Sequence, residues 1–367
     1  MHEKLTPTGM SVIGDKENLE ERRLRMIRSY GFSSVGSSHS KKGVGCQDAN
    51  NCVLTENGWV VAAIADGVGS CKYSDVASAI AVNVSVRVCV DEINKDGDQC
   101  DLLKVIEKAF TQAEREIDNR SFSEGHLITE YDTTLSLAIY DGKHVTYGHC
   151  GDGGIIGLTP EGDYVKITLP QKSEGIYVIP LRAGKDSWII DCAKEEFASI
   201  LLATDGVYDT FFPYLLKGQP VEVYVPLIRY FMDNNILKVS SKTIDAIDKA
   251  RKDYIDSDTC SSIVDDKTVL VLINETILPK LKDNSYYTEP NWDALQLAWN
   301  KKAYPHLYKT TTKEENTEAS VEVGKEENTE GDKEENTEGD KEECKVEHKF
   351  LRRTRSLKFK IKKIKLK

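Results

Sequence analysis

The chain has 367 residues, 40% hydrophobic and 30% charged, with a formal net charge of −11. That hydrophobic share supports a sizeable core, while no apolar run is long enough to cross a bilayer and the N-terminus lacks the apolar centre of a signal peptide, so the expectation is a cytoplasmic protein. Residues 313–343 carry 14 acidic and 4 basic side chains and residues 344–367 carry 1 and 11, so these stretches cancel and residues 1–312 hold the whole −11, which argues against nucleic acid as a partner of the core.

In chain order, residues 1–29 read as an N-terminal helical extension, DKENLEERRLRMIRS, with acidic residues early and arginines late, as the helix dipole favours. Residues 30–275 read as one globular body. Its segment GWVVAAIA (58–65) is continuously apolar, the mark of a strand buried on both faces. Ser74 is the expected N-cap of a well-buried helix, DVASAIAVNVSVRVCVDEI. A second helix, from Asp101 to about Asn119, places Leu103, Ile106, Phe110, Ala113 and Ile117 on one stripe. TTLSLAIY, Asp141-Gly142 and KHVTYGHC read as a hairpin, and ASILLAT (198–204) and KTVLVLIN (267–274) as strands separated by helical stretches including 241–256. Hairpins mixed with paired helices predict an α/β fold, a four-layer α/β/β/α sandwich of two mostly antiparallel sheets flanked by helices.

Residues 276–312 read as a helical appendage, with Trp292, Leu295 and Trp299 on one face after Pro290. Residues 313–346 repeat KEENTEGD and its variants, too polar to bury a core, and read as a disordered acidic linker. The tail, 347–367, mixes basic residues with Leu357, Phe359, Ile361, Ile364 and Leu366. It reads as a disordered basic tail, as an anchor for an anionic membrane surface or nucleic acid, or as a segment docking on the acidic body of the same chain. The nine cysteines are odd in number, irregular in spacing and free of any C-x-x-C pair, which points to reduced thiols rather than a zinc site or disulfide framework.

Five aspartates occupy special places. Asp66 and Asp205 end buried strands, Asp265 stands just before one, Asp152 follows GHCG, and Asp48 precedes the strand NCVLT. A tight turn accounts for Asp141-Gly142, where apolar alternation continues on both sides, but less well for Asp66-Gly67 and Asp205-Gly206, where the chain turns helical instead. Carboxylates gathered at one edge of a sandwich repel one another unless a cation lies between them. Oxygen ligands without His or Cys favour magnesium or manganese over zinc.

The ordered pieces QDA (47–49), ADGVGS (65–70), TT (133–134), GDGG (151–154), TDGVYD (204–209) and DDKTV (265–269) resemble the protein phosphatase 2C, or PPM, family, closest to its divergent bacterial-type branch. The resemblance runs over roughly residues 36–273 and implies hydrolysis of phosphoserine or phosphothreonine on protein substrates by a monomeric enzyme with two Mn2+ or Mg2+ ions. It implies that Asp66 bridges the two metals and that the Gly67 carbonyl binds one of them. Asp205 and Asp265 would complete the other, Asp152 would hold a third, weaker ion shared with Asp205, and Asp48 would orient the attacking water. Thr133 and Thr134 match a strand motif and read as structural.

Departures temper that reading. Gln47 stands where the better-known branch has Glu, Val68 replaces the His that the resemblance assigns as general acid in some members, and residues 37–45 offer His39, Lys41 and Lys42 but no phosphate-binding Arg. A catalytically weak module that binds phosphoproteins or a regulatory partner is therefore the alternative. A metal-dependent nuclease is remote, because the acidic body offers no basic groove.

Overall fold

The computed structural model describes residues 27–173 and 177–308. The expected linker and tail over 313–367, with Cys344, lie outside the described residues, as does the expected N-terminal helix up to residue 26. That helix cannot include its last three residues. Ile27, Arg28 and Ser29 open strand β1 (Ile27–Ser34), paired antiparallel with Asn274, Ile273 and Leu272. Ile27 packs between the sheets while Tyr30 and Phe32 face the helices, and this burial with pairing to the partner strand overrides the local charge pattern.

The chain continues through α1 (Ser37–Lys42), β2 (Ala49–Leu54), β3 (Val60–Ala65), α2 (Ser74–Asp96), α3 (Leu102–Glu124), β4 (Leu135–Tyr140), β5 (Val145–Cys150), β6 (Gly154–Leu158) and β7 (Tyr164–Lys166). A short hairpin of β8 (Lys172–Ser173) and β9 (Tyr177–Val178) leads to β10 (Ile189–Cys192), β11 (Ser199–Ala203) and α4 (Asp205–Phe211). Then follow α5 (Val225–Met232), α6 (Asn234–Leu237), α7 (Ile244–Ile255), β12 (Lys267–Asn274) and α8 (Trp292–Ala303). Two five-stranded sheets result, β1-β12-β11-β6-β7 and β10-β5-β4-β3-β2, with every pairing antiparallel.

Strand β3 shows how one apolar run serves two interfaces. Successive side chains leave opposite faces of a strand. Val60, Ala62 and Ile64 face the other sheet and pack with Ile155, Ile200, Leu202, Leu270 and Leu272. Val61, Ala63 and Ala65 face outward, with Ala77, Ala81, Ile106 and Phe110 of α2 and α3. On the far side, Leu201, Val269 and Val271 pack under Val207, Phe211, Ile228, Phe231 and Ile247 of α4, α5 and α7. The order is therefore helices, sheet, sheet, helices, the α/β/β/α sandwich expected from the pattern. Burial on both faces is why the central strands carry no polar alternation.

Local details differ from expectation at three points. Tyr73, not Ser74, holds the N-cap position of α2 and makes no capping bond; the buried Ser74 hydroxyl donates instead to the Cys71 carbonyl at 3.1 Å. Helix α3 runs on to Glu124 and stops at Gly125, left-handed at φ 70°. Its core stripe omits Leu103, which is 45% exposed, and uses Val105 instead, with Asp101 capping the Lys104 N–H. In the β4–β5 turn Asp141 Oδ1 accepts from the N–H groups of Lys143 and His144 at 2.8 and 2.7 Å, the Asx-type bonding that suits this residue to turns.

Helix α8 starts at Trp292 under an Asn291 cap, and Trp292 and Leu295 pack onto the cluster above α4 and α5. Trp299 meets Tyr214 edge-on at 6.0 Å. Among the described residues no helix is long and apolar enough to cross a membrane, and eight cysteines are free.

Candidate metal centre

Three strands deliver three carboxylates to one end of the sandwich. Asp66 follows β3, Asp152 lies two residues after β5, and Asp205 opens α4 directly after β11. One carboxylate oxygen from each can be chosen so that all lie within 4.8 Å of one another. Asp152 is buried, whereas Asp66 and Asp205 keep partial access to solvent.

The backbone around each aspartate is fixed by its neighbours. The Asp66 N–H donates to Thr134 Oγ1 at 2.8 Å, and the Asp66 carbonyl accepts from the Thr134 N–H at 2.8 Å and the Thr133 hydroxyl at 2.9 Å. The threonine pair thus holds the strand end rather than reaching into the site. Gly67 bridges to Thr133 and donates to the Gln47 carbonyl at 3.2 Å. A Cβ at Gly67 would stand 2.7 Å from the Ser74 carbonyl oxygen and 2.8 Å from that of Gln47, so only glycine lets the three segments converge. Gly151, with φ 129°, turns the chain from β5 to Asp152 against Thr134 in a region closed to other residues.

Asp48 stands beside this trio. Its Oδ2 accepts from Thr204 Oγ1 at 2.8 Å, while its buried Oδ1 has no protein partner. Burial pushes Asp48 up to about 7, opposed in part by the neighbouring Thr268, Thr204 and Asp66. Burial likewise lifts Asp66 well above the carboxylate range, with Asp48, Asp205 and Asp152 adding repulsion. Asp205 is pushed up to about 8 by burial, then by Asp152, Asp265, Asp209 and Asp48. Such a set holds its negative charges at neutral pH only beside a counter-cation. All-oxygen donors and a buried orphan oxygen fit a hard divalent ion.

Asp265 is not in the trio. Its Cβ lies 3.4 Å from where a Gly206 side chain would begin and its charge reaches Asp205, while its Oδ1 accepts from the Asp266 N–H at 3.0 Å. Gly67 enters by its backbone alone. The next residue, Asp266, carries a role of its own that the doublet does not announce. It is 3% exposed and accepts from the N–H groups of Gly36 and Gln47, both at 2.6 Å. His39 Nδ1 lies 2.9 Å from Asp266 Oδ2, without the alignment of a formed hydrogen bond. The doublet stands just before β12, and its two members part: Asp265 lies beside Gly206, and Asp266 holds the N–H groups of Gly36 and Gln47. Lys41 and Lys42 are exposed, while His39 is buried with this anchor.

A family model described as protein phosphatase 2C matches residues 35–237. No curated protein matches the chain significantly. Among solved structures, the chain is similar to the serine/threonine phosphatase Stp1 from Staphylococcus aureus, at 14% identity and a TM-score of 0.46, covering 68% of this chain and 95% of that one. It is also similar to the Mycobacterium tuberculosis serine/threonine phosphatase PstP/Ppp, at 18% identity and a TM-score of 0.47, covering 68% and 99%. A catalytic domain of PstP in complex with two manganese ions gives 18% identity and a TM-score of 0.46, covering 67% and 97%. The family match takes in more than half of the chain, including Asp48, Asp66, Asp152 and Asp205, and on it the chain belongs to the protein phosphatase 2C family.

Proposed function

We propose that the chain hydrolyses phosphoserine and phosphothreonine monoesters on proteins, with Mn2+ or Mg2+ held by Asp66, Asp152 and Asp205, with Asp265 and the Gly67 carbonyl completing the set. The observation that carries this reading is the convergence of Asp66, Asp152 and Asp205, their oxygens within 4.8 Å, at the ends of core strands. When bound, a pair of divalent ions acidifies a water for in-line attack on phosphorus and offsets charge on the phosphoryl oxygens.

The chain's own residues do the rest. Thr133 and Thr134 hold Asp66 at the strand end, so its carboxylate is set before any ligand arrives. Thr204 fixes one oxygen of Asp48, leaving Oδ1 free to accept a hydrogen bond from the attacking water. A covalent cysteine route finds no support: Cys46, beside the QDA motif, is pushed up to about 12 by burial and by Asp48 and Asp266, and stays a thiol.

Hydrolysis of phosphoserine, phosphothreonine and phosphotyrosine peptides by the full chain, with and without Mn2+, tests the reading. Mn2+-dependent turnover on the first two is expected, falling by about a hundredfold or more in Asp66→Asn and Asp205→Asn. Activity surviving both changes refutes the mechanism. Val68, after Asp66-Gly67, offers no proton donor, which favours the second reading, a weakly catalytic phosphoprotein-binding module; calorimetric metal binding without turnover on any peptide is its signature.

A further inference from the structure

Among the described residues, one cation pairs with the carboxylate centre. Lys172, the first residue of β8, places its ammonium 3.4 Å from Asp152 Oδ2. Among the described residues no other ion pair is formed with Asp48, Asp66, Asp152, Asp205 or Asp265. Most exposed lysine–carboxylate pairs are loosely held and mean little. This one is built in. The Gln171 N–H donates to the Gly151 carbonyl at 2.7 Å, and the Gly151 N–H donates to Gln171 Oε1 at 3.1 Å. Gln171 is tied further through its side-chain amide to the Ser187 carbonyl at 2.9 Å. The residues immediately after this interlocked pair are Lys172 and Asp152, so the two segments hold the backbones of both members of the ion pair side by side. The Asp152 side chain is 11% exposed and that of Lys172 37%, so solvent screens the pair only partly.

We propose that Lys172 is an internal counter-cation of the carboxylate centre, occupying the Asp152 limb and weakening the last metal ion to bind there. The inference rests on the metal-centre reading above and deepens it. A tethered ammonium and a divalent ion cannot both take the same carboxylate oxygen at full strength, because one positive charge lowers the affinity for the next. The device has a second effect. Without metal, Lys172 offsets part of the repulsion among Asp152, Asp205 and Asp209, so the emptied centre is less strained. Metal entry then displaces the lysine toward solvent, where its long stem can carry it.

Isothermal titration of the full chain with Mn2+, comparing wild type, Lys172→Met and Lys172→Arg, tests this. Met keeps most of the stem and removes the charge; Arg keeps the charge. Expected for Lys172→Met is a weakest site tightened by about tenfold, or one additional ion per chain, with Lys172→Arg following wild type. In chelator, Lys172→Met is expected to melt below wild type, and Mn2+ to remove the difference. Equal affinities and stoichiometries for wild type and Lys172→Met overturn the inference and leave the metal centre standing. Absence of Mn2+ binding in all three proteins removes the metal-centre reading and this inference with it.

Discussion

Replacing Asp205 by Asn separates the stability of the fold from its affinity for metal. Burial and four neighbouring aspartates move Asp205 from an ordinary 3.8 to about 8. Each pKa unit corresponds to about 1.4 kcal/mol, so keeping this site compatible with pH 7 costs the metal-free fold up to about 4 kcal/mol. Proton sharing with the neighbouring carboxylates lowers that ceiling. Asn is nearly isosteric and removes the charge, but it gives up a carboxylate in the first turn of α4, which costs about 0.3–1 kcal/mol through the helix dipole. The burial of the charge, with the repulsion added to it, outweighs the dipole term. Asp205→Asn should therefore be the more stable protein in chelator at pH 7–8, by about 1–2 kcal/mol, or roughly 2–8 °C in Tm.

The sign of the pH dependence follows from the raised pKa. A carboxyl whose folded pKa lies above its unfolded value contributes stability that is complete below about 4 and lost as pH rises through about 8. The gap between variant and wild type should thus be absent near pH 4 and open steadily toward pH 8. Mn2+ should reverse the order, raising wild-type Tm more than that of the variant. Thermal melts at several pH values, with chelator and with Mn2+, provide the assay. A variant no more stable than wild type at pH 8 in chelator, or one that gains as much from Mn2+, would refute the reasoning.

Two further substitutions probe the frame around the centre. Asp266→Ala leaves the Gly36 and Gln47 N–H groups without their acceptor behind the QDA loop, and denaturant titration should show a loss of about 3 kcal/mol or more. Thr134→Val keeps the shape but strips the Asp66 N–H of its 2.8 Å partner. It should cost about 1–3 kcal/mol in denaturant titration and lower kcat with little change in KM; unchanged stability would show that the threonine is not holding the strand end.

The sequence by itself determined the layers and the positions of the acidic ends. VVAAIA, SILLA and KTVLVLIN are apolar without alternation because each strand is buried on both faces, and that pattern survives as text. The Asp-Gly steps after two of them, and the order of the motif pieces, were equally visible. Where a local signal competed with a distant partner, the sequence misdirected. Ser74 looked like a cap but lies inside the converging loops, and Ile27–Ser29 looked helical but pair with β12. Only the tertiary structure decided which aspartates meet. Asp152 joins Asp66 and Asp205, Asp265 stands beside them, and Asp266 turns away to hold two loop N–H groups. It also placed Lys172 on Asp152, a contact between residues twenty positions apart that no local pattern announces. The reason is physical: periodicity records which face a residue presents, while a site is made where the ends of separate strands come together, and that distance is set by packing.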